Sequence, residues 1–243
     1  MPQTKLKTVL LMATPDPELL VSMGAKLCYS SSDIEKLQQS PKSEEFIDRL
    51  TQMGHLSPIE HASFTFGIEG VSRALLAQIT RHRLASFSVQ SQRYVNQTKK
   101  SGEFAYIIPP SIEALGKDAV KKFEDQMHTM QEWYDEWVQE LGANGEKSNE
   151  DARFVLPNAC ETKMILTMNA RELLHFFHLR CCNRAQWEIR ELAWQMLALV
   201  LSKAPSLFKN AGPSCVSGTC TEGKMTCGKM QEMKERQKKL LKG

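Results

Sequence analysis

The sequence predicts an α+β fold, a helix-rich mixed α/β subunit built as a single elaborated domain. Three observations carry this expectation. Apolar residues recur at alternating spacings of three and four over several stretches, the period of an amphipathic helix, most extensively between Asp118 and Leu141. Between these stretches stand short segments with the β-branched content or two-residue alternation of strands. No linker divides the 243 residues and no internal repeat is present.

Lys7–Ala13 reads as the first strand, ended by Pro15. Helices are expected over Pro17–Cys28 and Ser43–Met53, the second opening on acidic residues that suit the positive end of a helix dipole. Ala62–Ile68 alternates Phe64, Phe66 and Ile68 with Ser63, Thr65 and Gly67, a half-buried strand stopped by Gly70. From Val71 to Arg83 a helix is expected, with Val71, Leu75 and Ile79 on one stripe and Ala74, Gln78 and Arg81 beside it. Asp118–Leu141 repeats Val120, Phe123, Met127, Met130, Tyr134, Trp137 and Leu141, a stripe for a core or a subunit seam, before the Gly142 stop. Ser148 or Asn149 should cap a short helix reaching Leu156. Cys160–Met168 reads as a buried strand, and Ala170–Arg180 and Trp187–Ser202 as helices. The last carries Ile189, Ala193, Met196 and Val200 on one stripe. From Gly212 the composition changes, so the expected division is 1–211 for the main domain and 212–243 for a Cys-containing loop and basic tail. That tail reads as a peripheral, freely moving helix.

A net charge of +3 implies no general polyanion field, so any anion must be held by a local cluster. The apolar run Val9–Ala13 is too short for a membrane span and lacks secretory flanks; no membrane association is expected. Seven cysteines without disulfide-framework spacing point to reduced thiols in a cytoplasm. Cys215, Cys220 and Cys227 match no common zinc pattern and read as structural or incidental thiols. Dinucleotide, phosphate-loop and serine-elbow motifs are missing. Cys181 and Cys182 adjoin Arg180, which could activate a thiol there, but neither lies in a nucleophile motif.

The chemistry concentrates in Arg81–Tyr94, read as a loop in which arginines and a histidine stand among hydroxyls and amides. The planar guanidinium fork suits phosphate and the edge of a planar heterocycle, so this composition favours gripping a defined small anion. His55-Leu56-Ser57-Pro58-Ile59-Glu60-His61 leads into a strand. Its spacing fits no trusted metal site, and no metal is expected; a Pro58-fixed turn able to meet a cofactor is the better reading. On the Ala170–Arg180 helix, Arg171, His175 and His178 share one face while Leu173, Leu174 and Phe177 take the core side. Arg180 projects from the boundary and needs a partner, either a distant carboxylate or a ligand. Arg153, before Pro157, is uninformative by itself.

Arg81-His82-Arg83, seven residues and then Ser91-Gln92-Arg93 resemble the signature of the flavin-dependent thymidylate synthases. Gly54-His55-Leu56-Ser57-Pro58-Ile59-Glu60-His61, Asn169-Ala170-Arg171 and the run from Arg180 through Ala185-Gln186-Trp187-Glu188-Ile189 occur in the same order in that family. Together they span roughly residues 20 to 200. The resemblance implies a homotetramer with active sites shared between chains. It implies conversion of dUMP to dTMP with methylenetetrahydrofolate as carbon donor, FAD as hydride carrier and NADPH as reductant, and no enzyme cysteine as nucleophile. By position, it assigns Ser57, Arg81, His82, Arg83, Val89, Asn169, Ala170, Arg171 and His175 to FAD, with His55 nearby. Gln78, Arg81, Val89, Gln90, Ser91, Gln92, Arg93, Arg153 and Arg180 fall to dUMP, Arg180 as the catalytic group at the uracil edge favouring ionisation at N3. The several arginines suit a phosphate and a pyrophosphate, and the flavin supplies the redox chemistry.

The resemblance departs at two positions. Val89 stands where family members commonly have an acid or amide, leaving backbone contact as the route there. His175 stands where an asparagine is frequent. A nucleic-acid-binding module is the competing class: it predicts oligonucleotide binding with a steep salt dependence and no flavin, against the near-neutral charge. A third reading is a flavoprotein that binds FAD and dUMP but has lost synthesis.

Overall fold

The computed structural model describes residues 3–39, 44–98 and 102–242. Four strands, β1 (Lys7–Ala13), β2 (Ser63–Ser72), β3 (Ala85–Val89) and β4 (Glu161–Asn169), form one sheet in the order β1-β2-β4-β3. Helices α1 (Pro17–Leu27), α2 (Ile34–Gln38) and α3 (Glu44–Gln52) follow β1, and α4 (Arg73–Ile79) follows β2. After β3 come α5 (Pro110–Glu113), α6 (Lys117–Glu140) and α7 (Glu146–Ala152). After β4 come α8 (Ala170–Arg180), α9 (Trp187–Leu201), α10 (Pro205–Phe208), α11 (Ser214–Ser217) and α12 (Met230–Lys242). Neighbours Thr14–Ser63 and Lys7–Glu69 set β1 antiparallel to β2, and Thr65–Thr167 and Glu69–Lys163 set β2 antiparallel to β4. Among the described residues no helix is long and apolar enough to cross a membrane.

The chain falls into two compact units. One comprises Met1–Lys7, Ile68–Arg81 and Ser88–Ile165, and the other Thr8–Gly67, His82–Phe87 and Leu166–Gly243. Four of the five crossings fall inside strands, which is why no linker betrays them in the sequence.

In the first unit, Phe104, Tyr106, Ile108, Met127 and Cys160 form one cluster and Tyr134, Val138 and Ala152 another. The fully buried residues of α6 are Met127, Gln131, Tyr134 and Val138, and Val120, Phe123 and Met130 pack partly buried against the first cluster, so the expected stripe holds from Val120 to Tyr134 but not at its end. Trp137 and Leu141 are exposed. Val138 is the buried residue at that end, and Gln131 can join the buried face because its amide is satisfied, accepting from the Phe104 N–H at 2.6 Å and donating to Asp135 at 3.0 Å. Neither Ser148 nor Asn149 caps α7. Ser148 bonds back to the Leu141 carbonyl, and buried Asn149 joins Tyr134 Oη to the Arg93 carbonyl.

β2 runs past the expected stop at Gly70. Its φ of +72° is the left-handed conformation that glycine tolerates, and a Cβ there would lie 1.9 Å from the Lys5 carbonyl oxygen. The Gly70 N–H donates to buried Glu161. Gly70→Ala should therefore destabilise the fold by about 3 kcal/mol or more, read as a lower urea midpoint. An unchanged midpoint would refute the close approach.

In the second unit, β2 buries Phe64 and Phe66 as the alternation required. The edge-to-face pairs Phe64–Phe208, Phe208–Phe177 and Phe177–Phe176 link that strand to α8, with centroids 5.4, 6.0 and 5.9 Å apart. α9 buries Ile189, Ala193, Met196 and Val200 completely, as its stripe predicts. The start expected for the third helix, Ser43, lies outside the described residues; from Glu44 the helix is present. The basic tail, expected from composition to move freely, is instead docked as α12. Met233 is buried, Gln237 donates to the Lys209 and Ala211 carbonyls, and Arg236 lies over Trp194 while pairing with Glu191. Composition shows the basic face of this helix and hides its few anchors.

Candidate active site

The site residues of the second unit gather on α8 and on the turn before β3. Asn169 starts α8 as its N-cap, its side-chain oxygen accepting the Glu172 N–H at 2.9 Å, while the Ala170 N–H donates to the Ala62 carbonyl. Glu172, three residues after the cap, occupies the capping-box position. Its carboxylate turns instead to His82, accepting from Nδ1 at 3.0 Å. On the other side of the ring, Arg180 Nε donates to His82 Nε2 at 3.1 Å.

The donors fix the proton. An arginine can only donate and a carboxylate only accepts, so His82 is the neutral tautomer with its hydrogen on Nδ1. Burial lowers the His82 pKa; the Glu172 hydrogen bond opposes this and the positive Arg180 reinforces it. Phe176 packs edge-on against the ring with centroids 5.0 Å apart, and His175 stands 6.1 Å away. The result is a buried relay, Glu172–His82–Arg180, that orients the guanidinium of a half-buried arginine at the end of α8.

The relay carries a pH signature. The unfolded chain takes up a proton near pH 6.5, the ordinary histidine value, whereas folded His82 resists it. Its contribution is complete above that pH and is lost as pH falls toward the lower folded value. Urea midpoints should thus decline between pH 7 and 5, and His82→Asn should flatten that decline. An equally steep decline in the variant would contradict the assignment.

Around this relay the remaining candidates of the unit are open to solvent. His55, Ser57, Arg83, Arg171 and His175 are exposed, and Arg171 pairs with Glu60. Arg180 does not activate Cys181: that side chain is fully buried, and burial pushes the thiol well above the usual range.

The first unit holds the other candidates. The expected helix through Arg83 is shorter. Val71 and Ser72 belong to β2, Ser72 caps α4 by accepting the Leu75 N–H, and the helix ends at Ile79. Arg81 therefore lies in a turn rather than on a helix end, and it is exposed. Nor is Arg81–Tyr94 one loop, since Ala85–Val89 is β3. Val89 is half-buried, and the Gln90 N–H is already given to the Lys163 carbonyl at 2.9 Å. Gln92 turns inward to Cys160. Ser91 Oγ accepts the Arg93 and Tyr94 N–H groups, closing a turn. Arg93 reaches Glu146 and Glu150 of α7 at 2.7 Å each, and Arg153 Nε donates to the Glu150 carbonyl. Gln78 on α4 is half-buried. Arg93 and Arg153 thus meet at the two ends of one glutamate, a pairing their sequence separation concealed.

Comparison with known proteins settles the family. Residues 9–206 match the Thy1 family, described as thymidylate synthase complementing protein. A flavin-dependent thymidylate synthase of Geobacter sulfurreducens is 51% identical over 232 residues, covering 94% of this chain and 97% of that protein. The chain belongs to the flavin-dependent thymidylate synthase family. A second such synthase, from Clostridium tetani, is 49% identical over 94% of this chain and 96% of its own length. Two solved structures share the fold. The UMP/dUMP methylase PolB of Streptomyces cacaoi, bound with 5-Br dUMP, has a TM-score of 0.67 at 24% identity, covering 85% of this chain and 94% of that one. The Helicobacter pylori flavin-dependent thymidylate synthase ThyX, complexed with FAD and dUMP, gives 0.62 at 23% identity, covering 85% and 99%. Within the thymidylate synthase framework, Glu172 is the residue that sequence reasoning missed. An acid three residues after a helix-capping asparagine reads as a cap, and only the fold brings it to a histidine 90 positions earlier.

Proposed function

We propose that this chain converts dUMP to dTMP by FAD-dependent reductive methylation, with methylenetetrahydrofolate as carbon donor, NADPH as reductant and no enzyme thiol as nucleophile. It acts as a cytoplasmic homotetramer with active sites shared between chains. The observation that carries the reading is the buried relay that holds Arg180: a neutral histidine and an anchored carboxylate orient one guanidinium, a planar fork of the kind that suits the edge of a uracil. At that edge Arg180 stabilises negative charge, favouring loss of the N3 proton and raising electron density in the pyrimidine ring. Keeping His82 neutral preserves this role, because a second proton would remove the Nε2 acceptor that positions Arg180.

The residues fit a flavin dinucleotide. Exposed Arg81, Arg83 and Arg171 offer cationic forks to a pyrophosphate, and exposed Ser57 and His175 offer polar contacts. His82 and Asn169 are occupied as positioning groups, with Ala170 as backbone framework. When bound, the flavin supplies hydride chemistry that no side chain here can provide. For dUMP, Ser91, Arg93 and Arg153 bind the phosphate, which displaces the carboxylates of Glu146 and Glu150 from Arg93. Gln78, Val89, Gln90 and Gln92 shape that site. The exposed Trp133 and Trp137 on α6, with Phe154, supply apolar surface that further copies of the chain would cover.

Titrating the purified protein with FAD and then with dUMP tests the reading. One FAD per chain, with a flavin absorbance change on adding dUMP, is the expected result. Failure to bind either, with salt-sensitive binding of an oligonucleotide instead, would transfer the arginines to the nucleic-acid reading.

A further inference from the structure

Arg180 lines a cavity of about 200 Å³, and part of the wall comes from outside the family-matched segment 9–206. Cys182 lies on the α8 side, whereas Ser214, Thr221 and Glu222 come from the C-terminal segment. What holds that segment in place is Arg184, four residues beyond Arg180. Its Nη1 donates to the Met225 carbonyl at 2.8 Å and its Nε lies 3.1 Å from Glu222 Oε2. Within the segment, the Thr221 N–H and hydroxyl both lie 3.1 Å from Ser214 Oγ, so the stretch is tied to Ser214 at Thr221 and to Arg184 at Glu222 and Met225.

We infer that Arg184 is a positioning residue for the reaction: it clamps residues 221–225 as the outer wall of the cavity beside the Arg180 guanidinium. The inference rests on the dUMP reading given above. A half-exposed ion pair contributes little stability by itself. The clamp acts through geometry. One planar fork spans a carboxylate and a carbonyl three residues apart, which a point charge cannot do. With the wall in place, the directions from which a planar ring can approach Arg180 are restricted. Without it, the cavity opens to water on that side, which weakens any charge-assisted contact made inside.

The test uses the full chain loaded with FAD and three variants, Arg184→Ala, Arg184→Lys and Glu222→Gln. The readouts are calorimetric Kd for dUMP, kcat/KM for dUMP, FAD content and thermal midpoint. Arg184→Ala should weaken dUMP binding and lower kcat/KM by about 10-fold. FAD content should hold and the midpoint should shift by about 2 °C or less. Arg184→Lys should recover part of the affinity, since it restores the charge but not the fork. Unchanged dUMP affinity in Arg184→Ala, or losses that merely follow the thermal midpoint across the variants, would overturn the inference. An unmodified chain that binds no dUMP would overturn the reading beneath it, and the inference with it.

Discussion

Arg180→Ala is expected to lower dTMP formation about 100-fold or more while leaving FAD bound. The estimate follows from removing a charge-assisted donor that meets its ligand in a partly buried site, a loss of about 3 kcal/mol or more, each 1.4 kcal/mol being tenfold. FAD retention is expected because the groups assigned to the flavin, Ser57, Arg83, Arg171 and His175, stand on other residues of the unit. Arg180→Lys should restore charge but not the bidentate fork, and should remain well below the unmodified chain. The quantities to measure are kcat and KM for dUMP together with bound flavin by absorbance. Unaltered dTMP formation by the alanine variant would remove Arg180 from its role.

The largest stability effect should come from Phe208→Ala. Phe208 is fully buried and touches both Phe64 on β2 and Phe177 on α8 edge-to-face. Truncating such a phenylalanine leaves a cavity the surroundings fill only in part, at a cost of about 3–5 kcal/mol. For a chain of this size that corresponds to a thermal midpoint lower by roughly 10 °C. The consequence should extend beyond stability. Phe177 packs on Phe176, and Phe176 packs on His82, so loosening the aromatic row frees the ring that orients Arg180. Phe208→Leu, which refills most of the space, should retain more of both midpoint and activity. An alanine variant with an unchanged midpoint would show that the row is not a supporting element.

The elements most legible in the sequence were those whose ends are chemically marked. β1 and α8 occur at their expected bounds, α8 because Asn169 is a strong cap and Arg180 suits the helix C-terminus. β3 was missed although Ala85, Phe87 and Val89 alternate with Ser86 and Ser88, because the run is only five residues long, its apolar side is no more than half-buried, and its pairing is supplied by β4, far away in sequence. The extension of β2 through Gly70 was hidden by the habit of reading glycine as a stop, when here it permits a close backbone approach. At the site, the need of Arg180 for a partner could be read from its place at the edge of an apolar face. That the partner is His82, backed by Glu172, depends on a long-range contact that no local pattern encodes.

The most direct measurement is dTMP formation from dUMP by the purified protein, supplied with FAD, NADPH and methylenetetrahydrofolate and then with each omitted in turn. The account predicts product that requires all four. NADPH oxidation without dTMP would contradict the synthesis and make the altered motif at Val89 the first position to probe, and no flavin chemistry at all would contradict the account as a whole.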